Sequence, residues 1–268
     1  MRVLITNDDG IEAKGLQELR RALVAVPELE VNVVAPDSNR SATARSITTR
    51  SPLWVEEIGF DDGGNGYACD GTPVDCVRFA ELGLIGERPE LIVSGINHGA
   101  NLGDDITYSG TVAAALEGIV LGIPAIAISQ QSARREMDFH FGRDFDFSVA
   151  AAFAAQLVER VARDGLPADT LLNVNCPAGA PSGIEVSHLG KRLYNDELKL
   201  VEEDPESGRR RYQIYGFEPS FEDEEGSDLS AIANGRIAVT PVHFDLTDHS
   251  GLDRLRGWDF DAMLAAAR

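Results

Sequence analysis

The sequence is poor in lysine, in sulfur and in long apolar runs. Lys14, Lys191 and Lys199 are its only lysines, and every other basic residue is arginine. Cys69, Cys76 and Cys176 are odd in number and lack metal-type spacing. They offer neither a disulfide framework nor a cysteine zinc site, and reduced core thiols in a cytoplasmic protein are expected. No apolar stretch nears the roughly 20 residues of a membrane span. The chain opens on an apolar strand with no basic leader, so secretion is not expected. Positive charge is scarce: 24 Lys and Arg stand against 44 Asp and Glu, for a net charge of −20. That balance argues against nonspecific nucleic-acid binding. So acidic a surface repels itself at low salt, a pattern associated with halophiles, and tolerance of high KCl is expected.

What the chain does have is apolar residues in short runs, and acids where those runs stop. At 268 residues and 43% hydrophobic content it can bury a large core, as one large or two small domains. Val3, Leu4 and Ile5 are too short a run for a helix and read as a buried strand. The run ends in Asn7-Asp8-Asp9-Gly10. In an open α/β sheet the carboxyl end of a strand is where ligands bind. Two adjacent carboxylates repel, and burying them requires a compensating cation or donors. Oxygen-only ligands suit Mg, Mn or Ca better than zinc. The same residues also fit a solvated loop, or an N-cap followed by a first-turn acid.

Leu16, Leu19, Leu23 and Val26 predict a helix over residues 15–26, stopped by Pro27. Residues 31–35 predict a second strand, closed by Pro36. Strand, helix and strand within about 35 residues make a βαβ unit with parallel strands. The loop at 36–46 therefore leaves the same sheet edge as Asp8 and Asp9. Its hydroxyls could complete a hard-metal shell, and Arg40 and Arg45 could meet phosphate; a plain polar connector fits equally. Residues 53–69 read as a hairpin around a glycine-dense turn. Thr72 and Pro73 open a helix to about residue 84, and 91–94 is a third core strand.

The loop at 94–111 ends in Ser109-Gly110-Thr111, directly before a helical run. Free amides, a glycine and two hydroxyls at a helix start can bind an anion, or simply cap the helix. No P-loop lysine is present, which excludes a P-loop triphosphatase. No Gly-x-Gly-x-x-Gly follows the first strand, which weighs against dinucleotide binding. Residues 125–129 and 171–175 predict further strands and 147–161 a helix. The polar stretch 130–146, with Arg134, Arg135 and His140, reads as a surface connector or a mobile loop. Residues 184–203 and 209–217 predict long β segments outside the main sheet. Residues 236–242 predict another strand, and 252–267 a terminal helix. His243, Asp245 and His249 could form a catalytic pair or a structural hydrogen-bonded one.

With these segments placed, the sequence resembles the SurE (survival protein E) family of metal-dependent 5′/3′-nucleotidases. The resemblance is carried by Asn7-Asp8-Asp9-Gly10, Ala35-Pro36-Asp37 with Asn39-Arg40-Ser41, and Gly71-Thr72-Pro73 with Asp75-Cys76-Val77. It continues through Ser94-Gly95-Ile96-Asn97, Asn101-Leu102-Gly103-Asp104-Asp105 and Tyr108-Ser109-Gly110-Thr111, and closes with residues 240–247. It implies a single α/β domain over 1–268: a Rossmann-like three-layer sandwich with a mostly parallel sheet, its core at about 1–180 and 235–247. It further implies a β extension at about 183–234 and a terminal helix at about 250–267, both used to form homodimers or homotetramers. The implied reaction is hydrolysis of nucleoside monophosphates with one divalent cation, Mn or Mg. The implied ligands are Asp8, Asp9, Ser41 and Asn97, with Asp8 and Asp9 also catalytic. Asn101, Ser109, Gly110 and Thr111 are the implied phosphate contacts. Ala42 stands where the family usually has glycine, and Lys14 where it often has proline. A haloacid-dehalogenase-like aspartyl-phosphate mechanism wants aspartates one residue apart, and here they are adjacent. A mononucleotide-binding regulatory module without turnover is the non-enzymatic alternative.

Overall fold

A computed structural model describes residues 1–135, 144–194, 197–214 and 220–267. In β1 (Arg2–Thr6), Val3 and Ile5 enter one apolar cluster and Leu4 the other. This is the period-two pattern of a strand buried on both faces. The chain then runs through α1 (Lys14–Val24), β2 (Glu30–Pro36), β3 (Val55–Gly59), β4 (Asn65–Cys69), α2 (Pro73–Glu81) and β5 (Leu91–His98). A 3-10 turn (Gly103–Thr107) leads into α3 (Gly110–Val120), β6 (Ala125–Gln130), α4 (Ser148–Asp164) and β7 (Thr170–Cys176). The remainder holds β8 (Gly183–Val186), β9 (Arg192–Leu193), β10 (Lys199–Glu203), β11 (Arg210–Gln213) and β12 (Ser220–Phe221). It ends with α5 (Asp228–Ala233), β13 (Arg236–His243), α6 (His249–Arg256) and α7 (Phe260–Ala266).

Nine strands form one sheet in the order β3-β4-β2-β1-β5-β6-β7-β13-β8. From β4 to β7 all neighbours are parallel. β3 and β13 run against β4 and β7, and β8 lies parallel to β13. The chain goes one way from β1 to β2 and the other way to β5, so β1 ends at the point where strand order reverses. Crevices of α/β sheets open there. Leu16, Leu19 and Leu23 of α1 pack with Ala150, Ala154 and Val158 of α4 on the Val3–Ile5 face. Val77 and Ala80 of α2 pack with Val112, Ala115 and Ile119 of α3 on the Leu4 face. The result is the α/β sandwich expected. Local signals agree: Thr72 and Asp75 close a capping box with Pro73 in the first turn of α2, and Ser109 caps α3.

The C-terminal third differs from expectation. Residues 184–203 are not one β segment, and β8 belongs to the main sheet beside β13. After it the chain turns inward, because Asp228 accepts from both Gly190 N and Gly103 N at 2.9 Å. Arg192 then pairs with Asp105 at 2.5 Å, both buried. Outside the main sheet, among the described residues, β10 and β11 form an exposed hairpin and β9 pairs antiparallel with β12. The terminal helix is two helices, since the Asp259 side chain caps a new start by accepting from Ala262 N at 2.9 Å. Within the expected 130–146 connector, residues 136–143, which include His140, lie outside the described residues, as do residues 215–217 of the second β segment.

Candidate active site

Three strand-end loops and one helix start meet beside β1. Asn7 shapes the first loop: its Oδ1 accepts from Gly10 N at 3.2 Å and its Nδ2 donates to Gly10 O at 2.9 Å. Gly10 adopts φ +106°, a conformation that glycine tolerates and other residues rarely adopt. The tight turn projects Asp8 and Asp9 from adjacent positions.

Asp8 is buried against the start of α3. Its Oδ1 accepts from the Thr111 hydroxyl, and its carboxylate also accepts from Gly110 N–H. A Cβ on residue 110 would sit 2.7 Å from Asp8 Cβ, so glycine lets the helix end approach this closely. Burial and the neighbouring Asp9 charge push the Asp8 carboxyl up to about 6, against the downward pull of the Thr111 and Gly110 bonds. Asp9 is held differently. Its Oδ2 accepts from His98 N at 3.0 Å and lies 2.9 Å from His98 Nδ1, while its Oδ1 is 3.4 Å from Asn39 Nδ2.

The loop after β2 is bound into the same place. Arg40 N donates to Asp8 O at 2.7 Å. Asn39 Oδ1 accepts from Ser41 N at 2.9 Å, which sets Ser41 next to the Asp8–Asp9 turn. Neither arginine of this loop is a free phosphate binder. Arg40 reaches Asp37 at 2.8 Å and the Asp70 and Gly71 carbonyls at 3.0 and 3.3 Å. Arg45 pairs with buried Glu117 at 2.5 Å. The third loop leaves the end of β5, which brings Asn97, the residue directly before His98. Its Nδ2 donates to Gly99 O at 2.8 Å, which leaves Oδ1, the atom a hard cation would take.

The expected phosphate residues are more dispersed. Gly110 and Thr111 touch Asp8, and the Ser109 hydroxyl accepts from Val112 N at 3.1 Å as the helix cap. Asn101 is anchored farther along the edge, with Nδ2 2.8 Å from Ser129 and its backbone bonded to Asn173 and Asn175. The His243–Asp245–His249 group stands apart and exposed. His249 Nε2 is 2.7 Å from Asp245 Oδ2, a bond that holds the Asp245 carboxyl well below the usual carboxylate range. Its contacts are local to its own turn, the structural of the two readings. A cavity of about 280 Å³ between α1 and the β3–β4 hairpin, lined in part by Gln17, Arg20 and Phe60, contains none of these residues.

The donor set fits a hard divalent cation. Asp8 is buried beside a second carboxylate, and among the described residues no basic side chain partners it. Ser41 lies on the loop tied to Asp8 through Arg40 N and Asn97 directly precedes His98, which bonds Asp9, so both could offer neutral oxygens. Among the described residues no three His, Cys, Asp or Glu side chains form a metal cage, so hydroxyl and amide oxygens would have to complete the shell.

The family model for Survival protein SurE matches residues 3–196. The chain belongs to the SurE family. Curated SurE relatives run its full length. It is 51% identical to the 5′-nucleotidase SurE of Rubrobacter xylanophilus, over 98% of this chain and 99% of that one. It is 47% identical to the 5′-nucleotidase SurE of Chloroflexus aggregans, over 97% and 100% of the two chains. The crystal structure of the SurE protein from Aquifex aeolicus superimposes with a TM-score of 0.78 at 39% identity, over 96% and 98% of the two chains. Reasoning from sequence missed Asn39 and His98, the two side chains that hold Asp9 in this SurE protein. Only adjacency to Ser41 and Asn97 could have signalled them.

Proposed function

We propose that this SurE protein hydrolyses nucleoside 5′-monophosphates, and 3′-monophosphates as well, to nucleoside and phosphate. One divalent cation, Mn or Mg, would be held by Asp8, Asp9, Ser41 and Asn97. The reaction class is that of the full-length relatives, which are named 5′-nucleotidases, and metal dependence is general to SurE nucleotidases. The observation that carries the reading is Asp8: a buried carboxylate beside Asp9, with helix-start donors and no basic partner among the described residues.

When bound, such a cation polarises a phosphoryl oxygen and lowers the pKa of a water. The chain's own part is preorganisation. Thr111 and Gly110 orient Asp8, while His98 and Asn39 orient Asp9. First-turn N–H groups of α3 carry partial positive charge without intrahelical acceptors, although Gly110 N–H already bonds Asp8 and Val112 N–H the Ser109 hydroxyl. With Asn101, the Ser109-Gly110-Thr111 corner would take the phosphate oxygens and stabilise the charge that builds on them. Asp8 or Asp9 could also accept a proton from the attacking water.

Self-association belongs to the same reading. α6 and α7 bury none of their residues and expose Leu255, Phe260, Met263 and Leu264, with Trp258 exposed between them. A partner copy would cover that face in a homodimer or homotetramer, and light scattering would report its mass. Among the described residues no helix is long and apolar enough to cross a membrane. Three free, buried thiols support a cytoplasmic location.

The direct test of the ligand set is Asp9→Asn. Manganese affinity, read by calorimetry, and turnover should fall together by at least about tenfold. Full activity at limiting metal would remove Asp9 from the set.

A further inference from the structure

We propose that His98 is a positioning residue for Asp9: it locks one carboxylate oxygen so that the other faces the cation. The inference rests on the reading of Asp9 as a metal ligand. Two donors of the same residue converge on Asp9 Oδ2, the His98 backbone N at 3.0 Å and the ring Nδ1 at 2.9 Å. Among the described residues Oδ1 meets only the Asn39 amide, at a long 3.4 Å. A carboxylate offers about four lone-pair sites. Here one oxygen is filled by charge-assisted bonds and the other is left open. In the 2.9 Å contact Oδ2 is the acceptor, which puts the imidazole hydrogen facing it on Nδ1.

The ring is itself held still. It stands edge-on to Phe145 and Phe147, with centroids 5.1 and 5.0 Å away and interplanar angles of 72° and 83°. The two phenyl rings stack on each other at 5.6 Å. Phe147 is fully buried at the start of α4. The wall behind His98 is therefore part of the core on the α1–α4 face, and it fixes the direction of the Nδ1–Asp9 bond. A donor bonded to a ligand in this way sets the ligand's plane. Simple packing would need the ring and not the donor, which separates the two roles.

The test titrates chelator-stripped protein with Mn²⁺ by calorimetry and melts the metal-free protein by circular dichroism. His98→Phe keeps a ring beside Phe145 and Phe147 without the donor. His98→Asn keeps an amide donor near the Nδ1 position without the ring. His98→Phe is expected to weaken Mn²⁺ binding about tenfold or more, and His98→Asn to stay within about threefold of the parent. The His98→Phe melting temperature should stay within about 3 °C of the parent. In an Asp9→Asn background, His98→Phe should weaken Mn²⁺ binding no further. Parent-like binding by His98→Phe overturns the inference and leaves the ligand reading intact. Equal losses in His98→Phe and His98→Asn overturn it too, because packing is then the cause. Parent-like binding by Asp9→Asn overturns both readings.

Discussion

Gly110 and Asp8 are close enough that each dictates what the other can be. A Cβ on residue 110 would lie only 2.7 Å from Asp8 Cβ, so Gly110→Ala has to push the helix start away from the carboxylate. Turnover should fall at least about tenfold with a stability loss of about 1–3 kcal/mol, the usual range for overpacking. Enzyme assay and urea denaturation check the pair of effects. Asp8 also couples folding to pH. Its folded value, about 6, lies above the ordinary 3.8. The metal-free native state therefore binds more protons than the unfolded chain between those values, and stability falls as pH rises from about 4 to about 6. The loss is on the order of 3 kcal/mol. Asp8→Asn should remove that slope and melt higher than the parent at pH 8 in chelator, while losing metal affinity. A pH-independent melting temperature in the parent would contradict it. The Asp8–Asp9 pair stood out in the sequence by its place after a short apolar strand, but those residues alone also fitted a solvated loop or a helix cap, and the family resemblance is what singled them out as ligands. Asn39 and His98 were not legible, because their roles depend on which donors the fold brings to Asp9, and no spacing rule encodes that.

Among elements, the loop after β2 is the most constrained. Ala42 sits at φ +58° and Ala44 at φ +51°, the left-handed region that disfavours a Cβ. The departure from glycine at residue 42 is thus a strained position. Ala42→Gly should relieve about 1 kcal/mol, partly offset by the freer unfolded chain, and urea unfolding would register it. The loop holds its shape through Arg40 on Asp37 and through Arg45 and Arg78 on buried Glu117. On the far side, Asp105 accepts from Arg192 and, at 2.7 Å, from the Tyr194 hydroxyl. This buried group ties the 3-10 turn before Ser109 to the C-terminal extension. Removing one partner strands a buried charge, so Arg192→Ala should lower stability by about 3 kcal/mol or more, which urea denaturation would measure. Periodicity marked the strands and helices up to β7 because each is a local pattern. It overran at 184–203, where a long-range pair of buried ions breaks the chain direction near Gly190, a lone glycine that is a weak turn signal by itself.

For the whole molecule, the sheet order puts a reversal point beside the two aspartates, and this was partly legible. The first βαβ unit predicts parallel β1 and β2, which sends the 36–46 loop to the same edge as Asp8. The 236–242 strand was expected in the core, but its antiparallel pairing with β7, which joins segments about 65 residues apart, and the addition of β8 were not legible. A net charge of −20 acts on the molecule as a whole. Salt at about 1 M shortens the screening length to about 3 Å, so the melting temperature should rise as KCl is taken from low salt to about 1 M. A fall over that range would mean that the acidic surface is not what limits stability.

Two adjacent aspartates, organised by a glycine-started helix, are proposed to turn a strand end into a phosphomonoesterase. The most direct measurement is phosphate release from a panel of 5′- and 3′-mononucleotides by chelator-stripped protein, with and without added Mn or Mg. Release is expected only with metal, fastest on 5′-monophosphates, and is expected to be lost in Asp9→Asn. Folded protein that binds mononucleotides with metal present but releases no phosphate from any of them would contradict that proposal.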